Sequence, residues 1–139
     1  MNVEAFLLCD AATDSLGKLN VLGAFDSLNS VAFPVVHPAC AIALRLRFQR
    51  IERGNHKVTI HFIDEDGNFV VPPLDGNIEV SAPDNAHSAA VNVILNLQSL
   101  TFQRAGEYTI VLAIDAKETA TLPLHVINNS VRSPVSGTG

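Results

Sequence analysis

The sequence predicts an all-β fold: an antiparallel two-sheet β-sandwich of immunoglobulin-like type, with about eight strands. Three observations predict it. Apolar and polar residues alternate at a period of two through most of the chain, and no segment sustains a helical period. Clusters of Gly, Pro, Asn and Asp punctuate these runs at short intervals. The single tyrosine, Tyr108, stands just after Gly106 at the head of the alternating run Thr109-Ile110-Val111-Leu112-Ala113-Ile114.

Taken in order, a first strand is expected over 4–9, and Asp10 to Gly17 reads as the loop to a second over 18–26. Phe33-Pro34 to Pro38 reads as a crossover into a strand over 40–50, where Ile42, Leu44, Leu46 and Phe48 alternate with Ala43, Arg45, Arg47 and Gln49. Glu52-Arg53-Gly54-Asn55 and Asp64-Glu65-Asp66-Gly67 read as hairpin turns, because Asn, Asp and Gly tolerate positive φ. They flank a strand over 56–63, and a weak strand is expected over 68–71. Pro72-Pro73 and Pro83-Asp84-Asn85 bracket a strand over 76–81. Val91, Val93, Leu95 and Leu97 form the inward row of a strand over 88–98, and the turn from Leu97 to Leu100 is where a helical piece is expected. The run over 106–114 closes through Asp115 to Glu118 onto a last strand over 119–127. Pro123 cannot donate to a ladder, so that strand should be an edge.

With 139 residues the chain has the length of one domain, and residues 1–127 are expected to form it. Residues 128–139 are polar and small and read as a flexible C-terminal tail. A domain of this length buries about two thirds of its unfolded surface, enough to fold without disulfide or metal. There is no tryptophan and seven phenylalanines, so the core should be aliphatic with Phe as its large pieces.

Net charge is −5 with no cationic run, which argues against phosphate neutralisation and hence against nucleic-acid binding. The apolar runs fall well short of the roughly 20 residues of a membrane helix, and no basic n-region precedes an apolar h-region. The expected compartment is the cytoplasm, with Cys9 and Cys40 as buried free thiols.

The stretch from Gly106 to Ile114 resembles the tyrosine corner of immunoglobulin-like sandwiches, in which a tyrosine early in strand F returns its hydroxyl to an upstream backbone group. Gly106 and Tyr108 are therefore read as structural. Ile110 stands where an antibody domain has its second cysteine, and no tryptophan exists to pack on a disulfide. The whole chain also resembles an uncharacterised bacterial family of small single-domain proteins. That resemblance rests on Leu8-Cys9-Asp10-Ala11-Ala12-Thr13-Asp14, on Gly17 to Asp26, on Phe33-Pro34-Val35-Val36-His37-Pro38 and on Gly106-Glu107-Tyr108. The family has no assigned activity, so it implies no catalytic residue.

The residues themselves carry no catalytic pattern. Gly17-Lys18 is followed by Leu19, which is not a phosphate loop. His37, His56, His61, His87 and His125 lack paired metal-ligand spacing, and Cys40 stands across Pro38 from His37, with no spacing for an activated thiolate. No catalytic residue, metal ligand or cofactor is assigned. Strand parity instead places Arg45, Arg47, His61, Thr109, Val111, Ala113 and His125 on an outward face that mixes small apolar residues with arginine, a composition found in interfaces. The expected function is a non-enzymatic protein-binding or assembly module, meeting an unidentified protein partner or a second copy in a homodimer. The alternative is a small-ligand or calcium-binding domain using acidic loops at one end, with Asp10, Asp14, Asp26, Asp64 and Asp66 as oxygen donors.

Overall fold

Alternation of side chains along extended backbone decides this molecule, and the computed structural model, which describes residues 1–83 and 85–129, turns nearly every alternating run into a strand. In order these are β1 (Asn2–Ser15), β2 (Lys18–Ala24), β3 (Ser27–Ser30), β4 (Val35–Gln49), a turn of 3₁₀ helix (Arg50–Glu52), β5 (Gly54–Ile63), β6 (Leu74–Val80), β7 (Ser88–Phe102), β8 (Gly106–Ile114) and β9 (Lys117–Asn128). A four-stranded first sheet runs β2-β1-β4-β7, and a five-stranded second sheet runs β3-β9-β8-β5-β6. Pairing is antiparallel except where β3 joins β9 in parallel. The sandwich is therefore as expected in class, with nine strands among the described residues.

The core lies between the sheets. Ile42, Leu44, Leu46 and Phe48 of β4 face Val58, Ile60 and Phe62 of β5 and Ile110, Leu112 and Ile114 of β8, and all are buried. Phe48, Phe62 and Phe102 are its largest fully buried pieces. Tyr108 is buried too: its ring meets Phe102 edge-on at 5.0 Å, and its hydroxyl donates to the Arg104 carbonyl at 2.7 Å. That single bond lets a polar tip sit in an apolar layer, because a buried hydroxyl needs a partner.

Several local expectations are corrected. Residues 10–15 are strand rather than loop, and with β2 they make a long hairpin. The Glu52–Asn55 segment is no hairpin turn: β4 and β5 belong to different sheets, and the 3₁₀ turn carries the chain across the sandwich. The turn near Leu97–Leu100 is not helical; β7 runs through it with an irregularity at Ser99 (φ 54), opposite Pro38 on β4. The weak strand at 68–71 reduces to one bridge between Ile63 and Phe69. The Phe33-Pro34 peptide is cis, and Val35 to His37, expected as crossover, already pair with β7.

Pro123 is only partly an edge residue. β3 covers β9 from His125 to Asn128 and leaves the stretch before it open. The His125 amide points away from β8, toward the Asp26 carbonyl. Pro123 shares that parity, so its missing donor faces the open side and breaks no bond to β8. β9 ends at Asn128. Of the tail expected over 128–139, residues 130–139 lie outside the described residues, as does Asp84. Among the described residues no helix is long and apolar enough to cross a membrane.

Candidate functional site

The seven outward residues picked out by parity do face outward, but not on one surface. Arg45 and Arg47 lie on β4, in the first sheet; His61, Thr109, Val111, Ala113 and His125 lie on β5, β8 and β9, in the second. The crossover at Arg50–Glu52 separates them onto opposite sides of the sandwich. The joint face read from the sequence is thus corrected. It assumed that strands with a short connection are neighbours.

On the first side the chain covers its own sheet. β1 pairs with β4 from Asn2–Arg47 to Cys9–Ala41, then continues into the hairpin with β2. The tip of that hairpin returns across the outer face. The Gly17 carbonyl accepts from Arg45 Nη1 at 3.2 Å and from Asn92 Nδ2 at 3.1 Å. Beneath the hairpin, Ala12 and Leu19 pack on Cys9, Ala41, Ala43 and Ile94, and this seals two alanines that parity would otherwise expose. Both arginines are spent here. Arg45 also binds Glu4 Oε1 at 2.9 Å and Asn92 Oδ1 at 3.0 Å; Arg47 binds Glu4 and the Ser88 hydroxyl. Hydrogen bonds from Arg47, then Arg45, hold the Glu4 carboxyl below the ordinary range.

Among the described residues no strand or hairpin covers the second side. Its rows run directly across the strands: His61–Val111–Thr121, and one step away Ile63–Thr109–Pro123. The next row, Thr59–Ala113, runs out to Glu118 on β9 and Asp75 on β6. Over β5, β8 and β9 the first two rows carry no carboxylate, lysine or arginine. At one end stand Glu107 and His125, bonded to each other, and at the other Lys57, Lys117 and Glu118. Phe69, 54% exposed, lays its ring edge-on to His61 at 5.3 Å and extends the patch. The arrangement is a centre of His, Thr, Val, Ile and Pro, without carboxylate, lysine or arginine, inside a charged rim. That is the layout of an interface core and its rim.

The remaining polar groups hold the fold. His56 stacks on Phe48 at 4.6 Å, with Nδ1 2.7 Å from Asp115 Oδ2 and Nε2 2.6 Å from the Glu52 carbonyl. Both partners only accept, so both ring nitrogens must donate and the ring is held as the imidazolium. The Glu52 carbonyl, then Asp115, raise its pKa accordingly. Asp64 Oδ1 accepts from the Asp66 and Asn68 amides at 2.9 Å, Arg104 reaches Asp66, and Glu65 Oε1 accepts the Glu107 amide at 2.8 Å. A Cβ at Gly106 would meet that same Glu65 oxygen at 2.6 Å. Asp14 closes the β1–β2 turn by accepting from Gly17 N, and Asp10 packs against Gly23. The five acids of the calcium alternative therefore do not converge. Among the described residues no group of three or more His, Cys, Asp or Glu could hold a metal ion. Cys9 and Cys40 are buried as free thiols, one under the hairpin and the other in the core between the sheets; burial pushes Cys40 up to about 11.

Sequence reading missed Ile63 and Phe69 as members of the bare face. Phe69 arrives through an isolated bridge, which no periodicity signals.

A family of unknown function, DUF6941, matches residues 4–127, and the chain belongs to it. No curated protein matches the chain. Among solved structures, a β-glucuronidase from glycoside hydrolase family 2 is similar at 20% identity and a TM-score of 0.39, over 66% of this chain and 11% of that one. The overlap is a small part of that enzyme and too loose to bear on fold or activity.

Proposed function

We propose that this DUF6941 protein is a non-enzymatic protein-binding module that docks its partner on the outer face of β5, β8 and β9. One observation carries the reading: among the described residues the chain covers one side of its sandwich with its own hairpin and leaves the other bare, with a centre around Val111 that holds no carboxylate, lysine or arginine. The partner surface that fits is flat and aliphatic, without a charge opposite Val111, since burying an unpaired charge there is costly. The non-enzymatic part of the reading rests on where the polar groups are spent. Arg45 and Arg47 are held by Glu4, His56 by Asp115, His125 by Glu107 and Arg104 by Asp66. A cytoplasmic, bacterial setting fits the two buried thiols and the family resemblance of the sequence.

A photo-crosslinking side chain at Thr121, introduced in the native host, tests the reading. A discrete adduct at Thr121, absent from a control at Leu22 on the hairpin and lost on Val111→Glu, supports it. Equal labelling at both sites, or an adduct indifferent to Val111→Glu, defeats it.

A further inference from the structure

We propose that the open edge of β7 pairs with β7 of a second copy of this chain, antiparallel across a two-fold axis, and joins the two four-stranded sheets into one. An edge strand presents unpaired N–H and C=O groups, and proteins blunt such edges with charge, proline, bulges or brevity. The other edges here are blunted. β3 is four residues long; β6 carries Asp75 and Glu79; β2 carries Lys18 and a positive-φ Gly23. The open part of β9 lies between a register shift opposite Leu112/Ala113 and Pro123.

β7 has none of these devices where it is regular. It runs for 15 residues, and from Ser88 to Gln103 there is no charged residue and no proline. Among the described residues its only hydrogen-bonded neighbour is β4. Val91, Val93, Ile94 and Leu95 are each half-buried, so apolar surface is left to cover.

A second copy fits this edge better than an unrelated strand for three reasons. It offers an open edge of equal length. An uncharged strand meets its own reverse without like charges opposed. Among the described residues each chain has one such edge, so the pairing is isologous and closes at two. The ladder is regular from Ser88 to Gln98, ahead of the irregularity at Ser99, and the centre of that stretch is Val93. Pairing about Val93 sets Ala90 opposite Asn96 of the second copy and Val91 opposite Leu95, which keeps inward residues on the inward face.

Sedimentation equilibrium of the full chain tests this, with Val111→Glu as a control on the other sheet. The wild type and Val111→Glu dimerise alike. Ala90→Glu with Asn96→Glu opposes carboxylates twice across the axis and weakens the dimer about tenfold or more. Ala90→Lys with Asn96→Glu opposes unlike charges and restores the dimer. In hydrogen exchange, alternate amides from Ser88 to Gln98 gain protection as concentration rises. A wild type that stays monomeric with that edge unprotected overturns the proposal. So does a dimer that treats both double variants alike, or one lost on Val111→Glu, which would place self-association on the bare face instead.

Discussion

Arg45 Nη1 donates to the carbonyl of Gly17 at 3.2 Å, and this contact decides which side of the sandwich is left open. Arg45 lies in the middle of a core strand and Gly17 at the tip of a hairpin. Asn92 shares the same carbonyl from the neighbouring strand. Two donors on adjacent strands fix the tip in position as well as in height. The apolar seal of Leu19 and Ala12 on Ala41 and Ala43 follows from that placement.

Removing the clamp should free the hairpin without unfolding the domain. Arg45→Met keeps the apolar stem over the sheet and deletes the donors. Each lost hydrogen bond is worth about 0.5–1.5 kcal/mol net. Amides from Ala11 to Leu22 should exchange faster in Arg45→Met and in Asn92→Ala, while those of β8 keep their protection. Uniform acceleration across the domain would show that the hairpin is part of the global unit.

Tyr108→Phe isolates the hydroxyl. The ring contact with Phe102 survives, and the Arg104 carbonyl loses its donor in a half-buried site. The expected loss is about 1 kcal/mol or more, read as a lower urea midpoint with an unchanged slope. Partner capture at low temperature should be unaffected, because the hydroxyl lies on the core side of β8.

The legible and illegible parts of this protein separate along one physical line. Parity is local, so the inward rows of β4, β5, β7 and β8 and the burial of Tyr108 could be read from alternation alone. Strand adjacency is not local. Arg50–Glu52 looks like a hairpin turn because Arg53, Gly54 and Asn55 follow it, yet it crosses between sheets, and a single crossover moved Arg45 and Arg47 to the other side from Val111. The hairpin over 10–15 was hidden for a different reason. Its contacts are few and small, so its sequence carries no strong alternation. Pro123 was read correctly as a residue that cannot donate, but the short parallel strand β3, which covers the end of β9, has no signature in so few residues.

The turns offer a gain in stability. Leu16 and Gly17 have φ of 54° and 79°, and Asp115 and Ala116 have 52° and 67°, the double left-handed pattern of a tight hairpin. Leu16 is 98% exposed, so its side chain gains nothing from the position. A left-handed conformation costs a non-glycine residue about 1 kcal/mol, less for Asn. Leu16→Asn and Ala116→Gly should each raise the melting temperature, by about 0.5–1 kcal/mol in stability at most, since glycine also loosens the unfolded chain. A fall in either would mean that the present residue makes contacts unrelated to φ.

His56 gives the fold a pH dependence whose sign follows from its neighbours. The folded-state pKa of His56 is raised, by the Glu52 carbonyl and then by Asp115, so the stability it contributes is complete below the ordinary histidine value. That contribution fades as pH climbs through the raised value, where one of two accepting partners loses its donor. Asp115 works the other way. Its pKa is lowered, by His56 and then by the Lys57 amide, so its contribution holds above the ordinary aspartate value and is lost as pH falls through the lowered one. The pair is therefore strongest between those limits. Melting curves across neutral pH should fall on the alkaline side for the wild type, and His56→Gln should be less stable but flat there. A wild type equally flat through the histidine range would show that His56 does not carry the proton that its two accepting partners require.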